Sequence, residues 1–450
     1  MAKTDVKDFT NCSLFKGIFF FSLPLIFTNL LQVLFNISDI AVAGHFAGTG
    51  PLGSIGSTSQ LIFMFTGLLM GLGGGINVIV AYYIGAKSKK DIDESVHTAF
   101  VISLIFGVAL TFVGLIFARP VLVLMKTKPE LLDGAITYFK IYVLGMPAVA
   151  IYNYGNAVLS AAGDTKRPLY FLSAAGVINI CLNLFFVIVC KLSCSGVAIA
   201  SIISQYTSAV LVMIALCKGL GDIKFSFKRI SVKKDKVQRI LKIGVPAGLQ
   251  NVIFATANIF IQTGINSFDA VMVSGIAACS NLDLIVYDVM NAFYTACATF
   301  IGQNYGAGKK KRILQTMIIS NGYAFVYGWI MSISFKLFGT QWLSIFTSDP
   351  AVIAAGLLRL NIMFFTFPFA SFMDNTIAAS RGLGKTFGPS IMVLLGSCVF
   401  RIVWVYTIFA HFKTIPSLFL LYIFSFCLTA IAEMIYFACI YSKIPEKREA

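Results

Sequence analysis

The sequence predicts an all-α integral membrane protein with twelve transmembrane helices in two pseudo-symmetric six-helix bundles. Of its 450 residues, 58% are hydrophobic and only 12% are charged, and the mean hydropathy is +0.85. Soluble domains contain about 25% charged residues. Twelve apolar runs have roughly the 20 residues that a helix needs to cross a bilayer. The last six runs repeat features of the first six.

The twelve apolar runs are separated by short polar loops. The predicted spans are 15–43, 53–83, 95–119, 133–161, 169–190, 195–217, 239–266, 271–303, 314–338, 351–380, 388–411 and 416–441.

Matching residues recur at a nearly constant offset along the two halves. The offset is 221 for Pro147 and Pro368 (368 − 147), and 222 for Pro24 and Pro246 (246 − 24). It is also 221 for Gly163 and Gly384, Thr165 and Thr386, and Pro168 and Pro389. Six spans in each copy make the repeats parallel, related by an axis along the membrane normal. We therefore expect an N-terminal lobe (1–217), a cytoplasmic basic linker (218–238) and a C-terminal lobe (239–450).

Basic residues set the expected orientation. The net charge is +16, and most Lys and Arg residues fall in loops on one side of the runs. Cytoplasmic loops of membrane proteins carry such an excess, so both termini are expected in the cytoplasm of a multi-pass protein of the plasma (bacterial inner) membrane. Anionic lipid head groups account for the charge, and no nucleic-acid partner is needed.

Catalytic and cofactor motifs are missing from the sequence, so we expect no enzyme and no cofactor beyond a coupling ion. Gly71–Gly75 resembles a phosphate loop only in composition, because no Lys-Ser/Thr follows, and it predicts close helix packing or a bend. Most of the ten cysteines lie in apolar runs. A bridge between Cys190 and Cys194, which flank a short turn, is left open.

The first span carries a polar stripe. Asn29, Gln32, Asn36 and Asp39 follow each other at steps of three, four and three, which places them on one helix face. A carboxylate in hydrocarbon is costly unless it faces a cavity or a partner. The repeat position of Asp39 is Ile261. We therefore predict that Asp39 binds the coupling ion of a transporter, and that Gln32 and Asn36 line the substrate pathway.

Oxygen donors on two later spans suit the same site. Asn179 and Asn183 are spaced i, i+4 on the fifth span, and Ser201 lies on the sixth. With Asp39, these oxygens could hold Na⁺, the metal candidate being Asp39 with Asn179 and Asn183, or Asp39 could carry H⁺. Plain hydrogen bonding between helices is the alternative interpretation.

Tyr138, Asn153 and Asn156 give the fourth span a face suited to an organic cation, although tyrosines near span ends often belong to the interfacial belt.

Four acidic residues in the second half are secondary candidates: Asp283, Asp288, Asp374 and Glu433. Arg401 could form an ion pair with either Asp374 or Glu433, which would give that carboxylate a structural role.

These motifs resemble the multidrug and toxic compound extrusion (MATE) family. The resemblance rests on Asp39 and on Ile84-Gly85-Ala86-Lys87, Gly163-Asp164-Thr165-Lys166-Arg167-Pro168, Gln303-Asn304-Tyr305-Gly306-Ala307-Gly308 and Arg381-Gly382-Leu383-Gly384-Lys385. It is strongest to the DinF-like branch, because Phe254 stands where the NorM-like branch has a carboxylate.

The resemblance implies which residues form the sites. It assigns the cation site to Asp39, Asn179 and Ser201, and a pathway role to Tyr138, Asn153 and Asn156. The sequence departs from the family at Asn183, where the archetype has a second aspartate, and at Ser160, which replaces the usual arginine.

The expected function is H⁺- or Na⁺-coupled antiport that exports amphipathic organic cations by alternating access, carried out by a monomer in the lipid bilayer. The alternative is a flippase or exporter of a lipid-linked sugar or another metabolite.

Overall fold

Helices account for the regular structure of the described chain. The computed structural model describes residues 6–47 and 49–445, without the side chains of residues 36, 47 and 49. The α-helices are α1 Leu14–Val42, α2 Thr49–Gly85, α3 Lys89–Leu124, α4 Pro129–Val143, α5 Met146–Ala161, α6 Lys166–Leu184, α7 Ser193–Lys218, α8 Lys234–Ile265, α9 Ala270–Gly306, α10 Lys310–Ser344, α11 Pro350–Ile362, α12 Thr366–Gly382, α13 Phe387–Val393, α14 Phe400–Trp404, α15 Ala410–Phe412 and α16 Ile415–Ser442.

Consecutive helices join into twelve helical segments that match the twelve predicted spans. Among the described residues, ten of these segments are long and apolar enough to cross a membrane, and α4 with α5 gives an eleventh that is bent by 45°. The twelfth helical segment, α10, has 35 residues and is not among those ten. A short π-helical segment extends α6 as far as Val189, and two others connect α13, α14 and α15 into one continuous helical segment. The predicted fold class is confirmed.

The repeat is visible in the backbone. Gly163 and Gly384 both have positive φ, 86° and 74°, in turns that follow α5 and α12. Lys87 and Gly308, again 221 residues apart (308 − 87), both adopt left-handed φ, 54° and 73°. This conformation strains any residue with a Cβ, so the turn geometry is kept even where lysine replaces glycine.

The described chain divides into two compact units. The first consists of the described residues before Phe9 together with Phe27–Leu249, and the second of Phe9–Ile26 and the chain from Gln250 onward. This division differs from the predicted lobes, which end at 217 and begin at 239. The start of α1 is counted with the second unit, and α8 up to Leu249 with the first.

Contacts of the chain before α1 explain the first difference. The Phe9 ring stacks on Phe300 of α9 at 4.0 Å, and the Phe9 amide donates to Gln303 Oε1 at 3.0 Å. Arg312 Nη2 donates to the carbonyl oxygen of Cys12 at 2.7 Å. These bonds fix Phe9–Ile26 within the second unit.

Glycines explain the second difference. A Cβ on Gly71 would lie 2.1 Å from the Gly248 nitrogen, and a Cβ on Gly75 would lie 2.7 Å from the Gly244 nitrogen. Backbones of α2 and α8 therefore touch along two i, i+4 glycine pairs, the contact that small residues permit in membrane helices. The predicted close packing at Gly71–Gly75 is confirmed.

The predicted linker is bonded to the first unit. His97, fully buried on α3, accepts from the Ser226 amide through Nε2 at 3.1 Å. Its Nδ1 donates to the Asp93 carbonyl at 2.8 Å. Buried Lys236 donates to Asp91 and, at 2.9 Å, to the Tyr83 hydroxyl. The segment before α8 is thus held along the ends of α2 and α3.

Candidate functional site

The site in the first unit is built on Asp39 of α1. Asp39 is half-buried, and Asn183 of α6 donates to its Oδ1 through Nδ2. Ser201 of α7 donates to its Oδ2 at 3.2 Å. The structure therefore brings together residues that are 144 and 162 positions apart in the chain.

Two further contacts complete this site. Asn183 Nδ2 also donates to Asn179 Oδ1 at 3.1 Å, one helical turn away as the i, i+4 spacing predicts. The hydroxyl of Ser201 lies 3.0 Å from the Val197 carbonyl, and its single proton can serve only one acceptor at a time. Asn179, Asn183 and Ser201 are all buried.

Irregular helix follows the site on both of its main elements. After α1, residues Ala43–Ala47 form a π-helix, and after α6, residues Phe185–Val189 form another. Widened π turns are frequent at functional sites, because they reorient the side chains of a helix. They begin four residues after Asp39 and two after Asn183.

The electrostatics of the site are unusual for a carboxylate inside an apolar helix. In the described part of the chain, Asp39 has no ion-pair partner, and its hydrogen bonds come from neutral groups. Asn183 Oδ1 is buried without a hydrogen-bond partner among the described residues. The site therefore offers one negative charge together with amide and hydroxyl oxygens, which suits a small hard cation or a proton.

The pathway candidates are only partly assembled around this site. Tyr138 is buried in a cluster with Val42 and Ala43, two residues that follow Asp39 closely in the chain. Its ring stacks on that of Tyr142, with 6.0 Å between the ring centres. Asn153 donates to Val149 of its own helix at 2.9 Å, and Asn156 accepts from Ser160 at 3.3 Å.

Two candidates on α1 are less informative. Gln32 is half-buried. The side chain of Asn36 lies outside the described residues.

Cys190 and Cys194, whose pairing the sequence left open, are both free cysteines in the structure.

The secondary candidates in the second unit separate into different environments. Asp283 accepts from Arg359, with 3.4 Å between Oδ1 and Nη1, so this carboxylate is ion-paired and Arg359 is buried. Asp288 and Asp374 are half-buried. Glu433 is fully buried, and neither of its oxygens has a hydrogen-bond partner among the described residues.

The expected ion pair of Arg401 with Asp374 or Glu433 is not formed among the described residues. Arg401 Nε donates to Ser425 at 3.0 Å instead. Its guanidinium lies 4.6 Å from the Tyr422 ring centre and 4.8 Å from that of Phe426. Faces of aromatic rings attract a cation, and they stabilise this buried arginine in place of a carboxylate.

One polar network in the second unit was not foreseen. Arg381 of α12 donates to the Tyr294 hydroxyl and, at 2.7 Å, to Gln250 Oε1. The predicted span 351–380 ends just before Arg381, and Gln250 and Tyr294 carry no signal beyond being polar residues in apolar runs. Their meeting depends on how α8, α9 and α12 pack.

A family model matches the chain twice. The model described as MatE matches residues 24–185 and 246–407. Both ends of the second match lie 222 residues after those of the first (246 − 24 and 407 − 185). The match therefore coincides with the internal repeat.

Curated relatives cover most of the chain. A "Probable multidrug resistance protein YpnP" from Bacillus subtilis is 29% identical over 379 residues, covering 83% of this chain and 84% of that protein. An "FAD transporter" from Shewanella oneidensis is 25% identical over 339 residues, covering 74% of each.

Solved structures share the fold. A "multidrug resistance MATE family transporter of the MOP superfamily" in an outward-facing conformation superposes with a TM-score of 0.91 at 21% identity, over 99% of both chains. A MOP superfamily transporter from Pyrococcus furiosus gives the same TM-score at 20% identity, also over 99% of both chains.

Proposed function

The chain belongs to the MatE family, and from this premise we propose that it is a secondary antiporter in which an ion bound at Asp39 drives export of amphipathic organic cations. The relatives that cover most of the chain carry multidrug-resistance names, which supports a transporter and not an enzyme. The observation that carries the proposal is a carboxylate inside an apolar helix whose hydrogen bonds come from two other helices.

Binding and release of the ion at Asp39 would change its bonds with α6 and α7. When H⁺ or Na⁺ neutralises the carboxylate, the charge-assisted bonds from Asn183 and Ser201 weaken or are rearranged around the ion. An ion that binds one conformation better shifts the protein toward that conformation. Asp39 would in this way link the ion gradient to alternating access.

Sodium and proton make different demands on the site. Na⁺ needs several oxygen ligands, for which Asp39, Asn179, Asn183 and Ser201 are the candidates, whereas H⁺ needs only the carboxylate. A single carboxylate leaves both ions open. We further propose that the transporter works as a monomer in the bacterial inner membrane with both termini in the cytoplasm, as the basic loops predict.

The test is efflux of a fluorescent cationic dye from proteoliposomes under separate Na⁺ and pH gradients. Asp39→Asn keeps the shape and an acceptor oxygen but removes the charge, and we expect it to abolish gradient-driven export. Asp133→Asn, the same change at an exposed position of α4, should export like the wild type. Normal efflux by Asp39→Asn would exclude Asp39 from the mechanism.

A second candidate function is export of an anionic metabolite, which would include a lipid-linked sugar. It is supported by the relative named as an FAD transporter and by Arg401, a buried cation without a carboxylate partner among the described residues. Gradient-dependent movement of a phosphorylated probe in the same vesicles, with no movement of the dye, would favour this candidate.

A further inference from the structure

Glu433 lies in the middle of α16, one of the most apolar helices of the chain. The helix spans Ile415–Ser442, and Glu433 is its one charged residue. The side chain is 0% exposed, and neither carboxylate oxygen has a hydrogen-bond partner among the described residues. A buried ionised carboxylate without a partner costs far more than a neutral one.

Three arginines lie on helices that pack against α16, but each is engaged elsewhere. Arg359 of α11 pairs with Asp283, and Arg401 of α14 is held by Ser425 and aromatic rings. Arg381 of α12 donates to Tyr294 and Gln250. The other titratable side chains on elements packed against α16, or on α16 itself, are Asp374 on α12, Cys398 before α14, Tyr406 after α14, and Tyr422, Cys427, Tyr436, Cys439 and Tyr441.

We propose that Glu433 is a second proton-binding site, located in the second unit and separate from the Asp39 site. Because Glu433 has no ion pair and no hydrogen bond within the described part of the chain, its surroundings favour the neutral carboxyl group. The inference rests on the proposed ion-coupled export, and it adds a proton carrier that works whether Asp39 binds H⁺ or Na⁺.

Arg381 provides the reciprocal partner for the ionised state. Its charge acts electrostatically on Glu433, and its Nε is buried without a hydrogen-bond partner among the described residues. When the proton leaves the carboxyl group for water, the new negative charge attracts the guanidinium. Arg381 then weakens its bond to Gln250 Oε1, now 2.7 Å long.

The consequence of this exchange reaches α8. Gln250 lies one helical turn after Pro246, which has no N–H and so cannot donate a backbone hydrogen bond to the carbonyl of Lys242. Ser390 also donates to Gln250 Oε1, at 3.3 Å, so Gln250 joins α8 to both α12 and α13. Protonation of Glu433 would therefore stabilise this part of α8, and deprotonation would loosen it.

Infrared difference spectroscopy of the purified protein tests the proton site without any substrate. The difference between the spectra at acidic and alkaline pH should contain a protonated-carboxyl stretch in the wild type. This band should be lost in Glu433→Gln. Asp39→Asn and Glu130→Gln, an exposed control on α4, should keep that band. An unchanged band in Glu433→Gln would overturn the proposal. If Gln prevents folding, Glu433→Met offers a similar volume without charge.

Dye efflux then tests whether the site takes part in transport. Under a pH gradient alone, we expect Glu433→Gln to lose proton-driven export, whereas Glu130→Gln exports like the wild type. Export by Glu433→Gln equal to the wild type would overturn a transport role for Glu433. Normal export by Asp39→Asn would instead contradict the proposed function and leave the infrared result standing.

Discussion

Asp39 in the first unit and Glu433 in the second are both carboxylates inside apolar helices, but their surroundings are opposite. Asp39 accepts hydrogen bonds from Asn183 and Ser201, whereas Glu433 has no hydrogen-bond partner among the described residues. Donors stabilise the charged form of a carboxylate, and their absence stabilises the neutral form. The two sites therefore differ: Asp39 can balance its charge with a bound Na⁺ or take up H⁺, whereas the surroundings of Glu433 favour the neutral carboxyl group.

Asp283 provides the reference for this comparison, because its charge is compensated directly by Arg359. Arg359→Met leaves Asp283 buried without its cation, and we expect a loss of stability of about 3–5 kcal/mol. Melting temperature in detergent measures this. Arg359→Met combined with Asp283→Asn should recover most of the loss. If Arg359→Met alone is as stable as the double variant, the ion pair between Asp283 and Arg359 is not needed for stability.

Asn183→Asp adds a second carboxylate beside Asp39 and tests how far the charge of the site determines its ion. Two negative charges repel each other unless a cation lies between them. We expect Na⁺ to become at least about tenfold more effective, which corresponds to about 1.4 kcal/mol. The measurement is the Na⁺ concentration for half-maximal efflux. Asn266→Asp, the same change at an exposed position just after α8, is the matched control and should leave that concentration unchanged.

Ser201→Ala removes one of the donors to Asp39. A single hydrogen bond contributes about 0.5–1.5 kcal/mol, so we expect the ion dependence of export to shift by roughly threefold to tenfold. Ser204→Ala is the matched control on the same helix, because the Ser204 hydroxyl bonds to the carbonyl of Ser201 and not to Asp39. Equal shifts in the two variants would contradict a specific role for Ser201.

Glu433→Gln should have the smallest effect on stability. Glutamine has the shape of the neutral carboxyl group, so we expect the free energy of unfolding to change by less than about 0.5 kcal/mol. Thermal unfolding in detergent measures it, with Asp283→Asn as the contrasting variant that breaks an ion pair. A loss as large as that of Asp283→Asn would mean that Glu433 is charged in the folded protein.

Hydropathy predicts the membrane-spanning part of the helices well. The predicted span 416–441 lies within one residue of α16, Ile415–Ser442, at both ends. It failed where a helix continues beyond the apolar run: α8 begins at Lys234, and Lys236 is buried through its bonds to Asp91 and Tyr83. A buried lysine of this kind cannot be recognised from composition, because its partners lie on other helices.

The candidate site was predictable only in part. Periodicity identified the faces that carry Asp39 and the pair Asn179 and Asn183, and the shared chemistry of their oxygens predicted one site. The particular bond from Asn183 to Asp39, across 144 residues, depends on how α1 and α6 pack. The pair of Asp283 with Arg359 and the aromatic surroundings of Arg401 were not predicted. Both depend on rotations of helices about their axes, which a hydropathy profile does not contain.

The bonded segment before α8 has a consequence for the mechanics of the chain. A free loop behaves as an entropic spring, with an extension of about 5–6 Å times the square root of its residue number. Residues bonded to His97 and Thr98 have lost that freedom, because Ser226 and Lys233 donate to these two side chains. The chain between α7 and α8 is thus a bonded segment of the first unit and not a flexible tether.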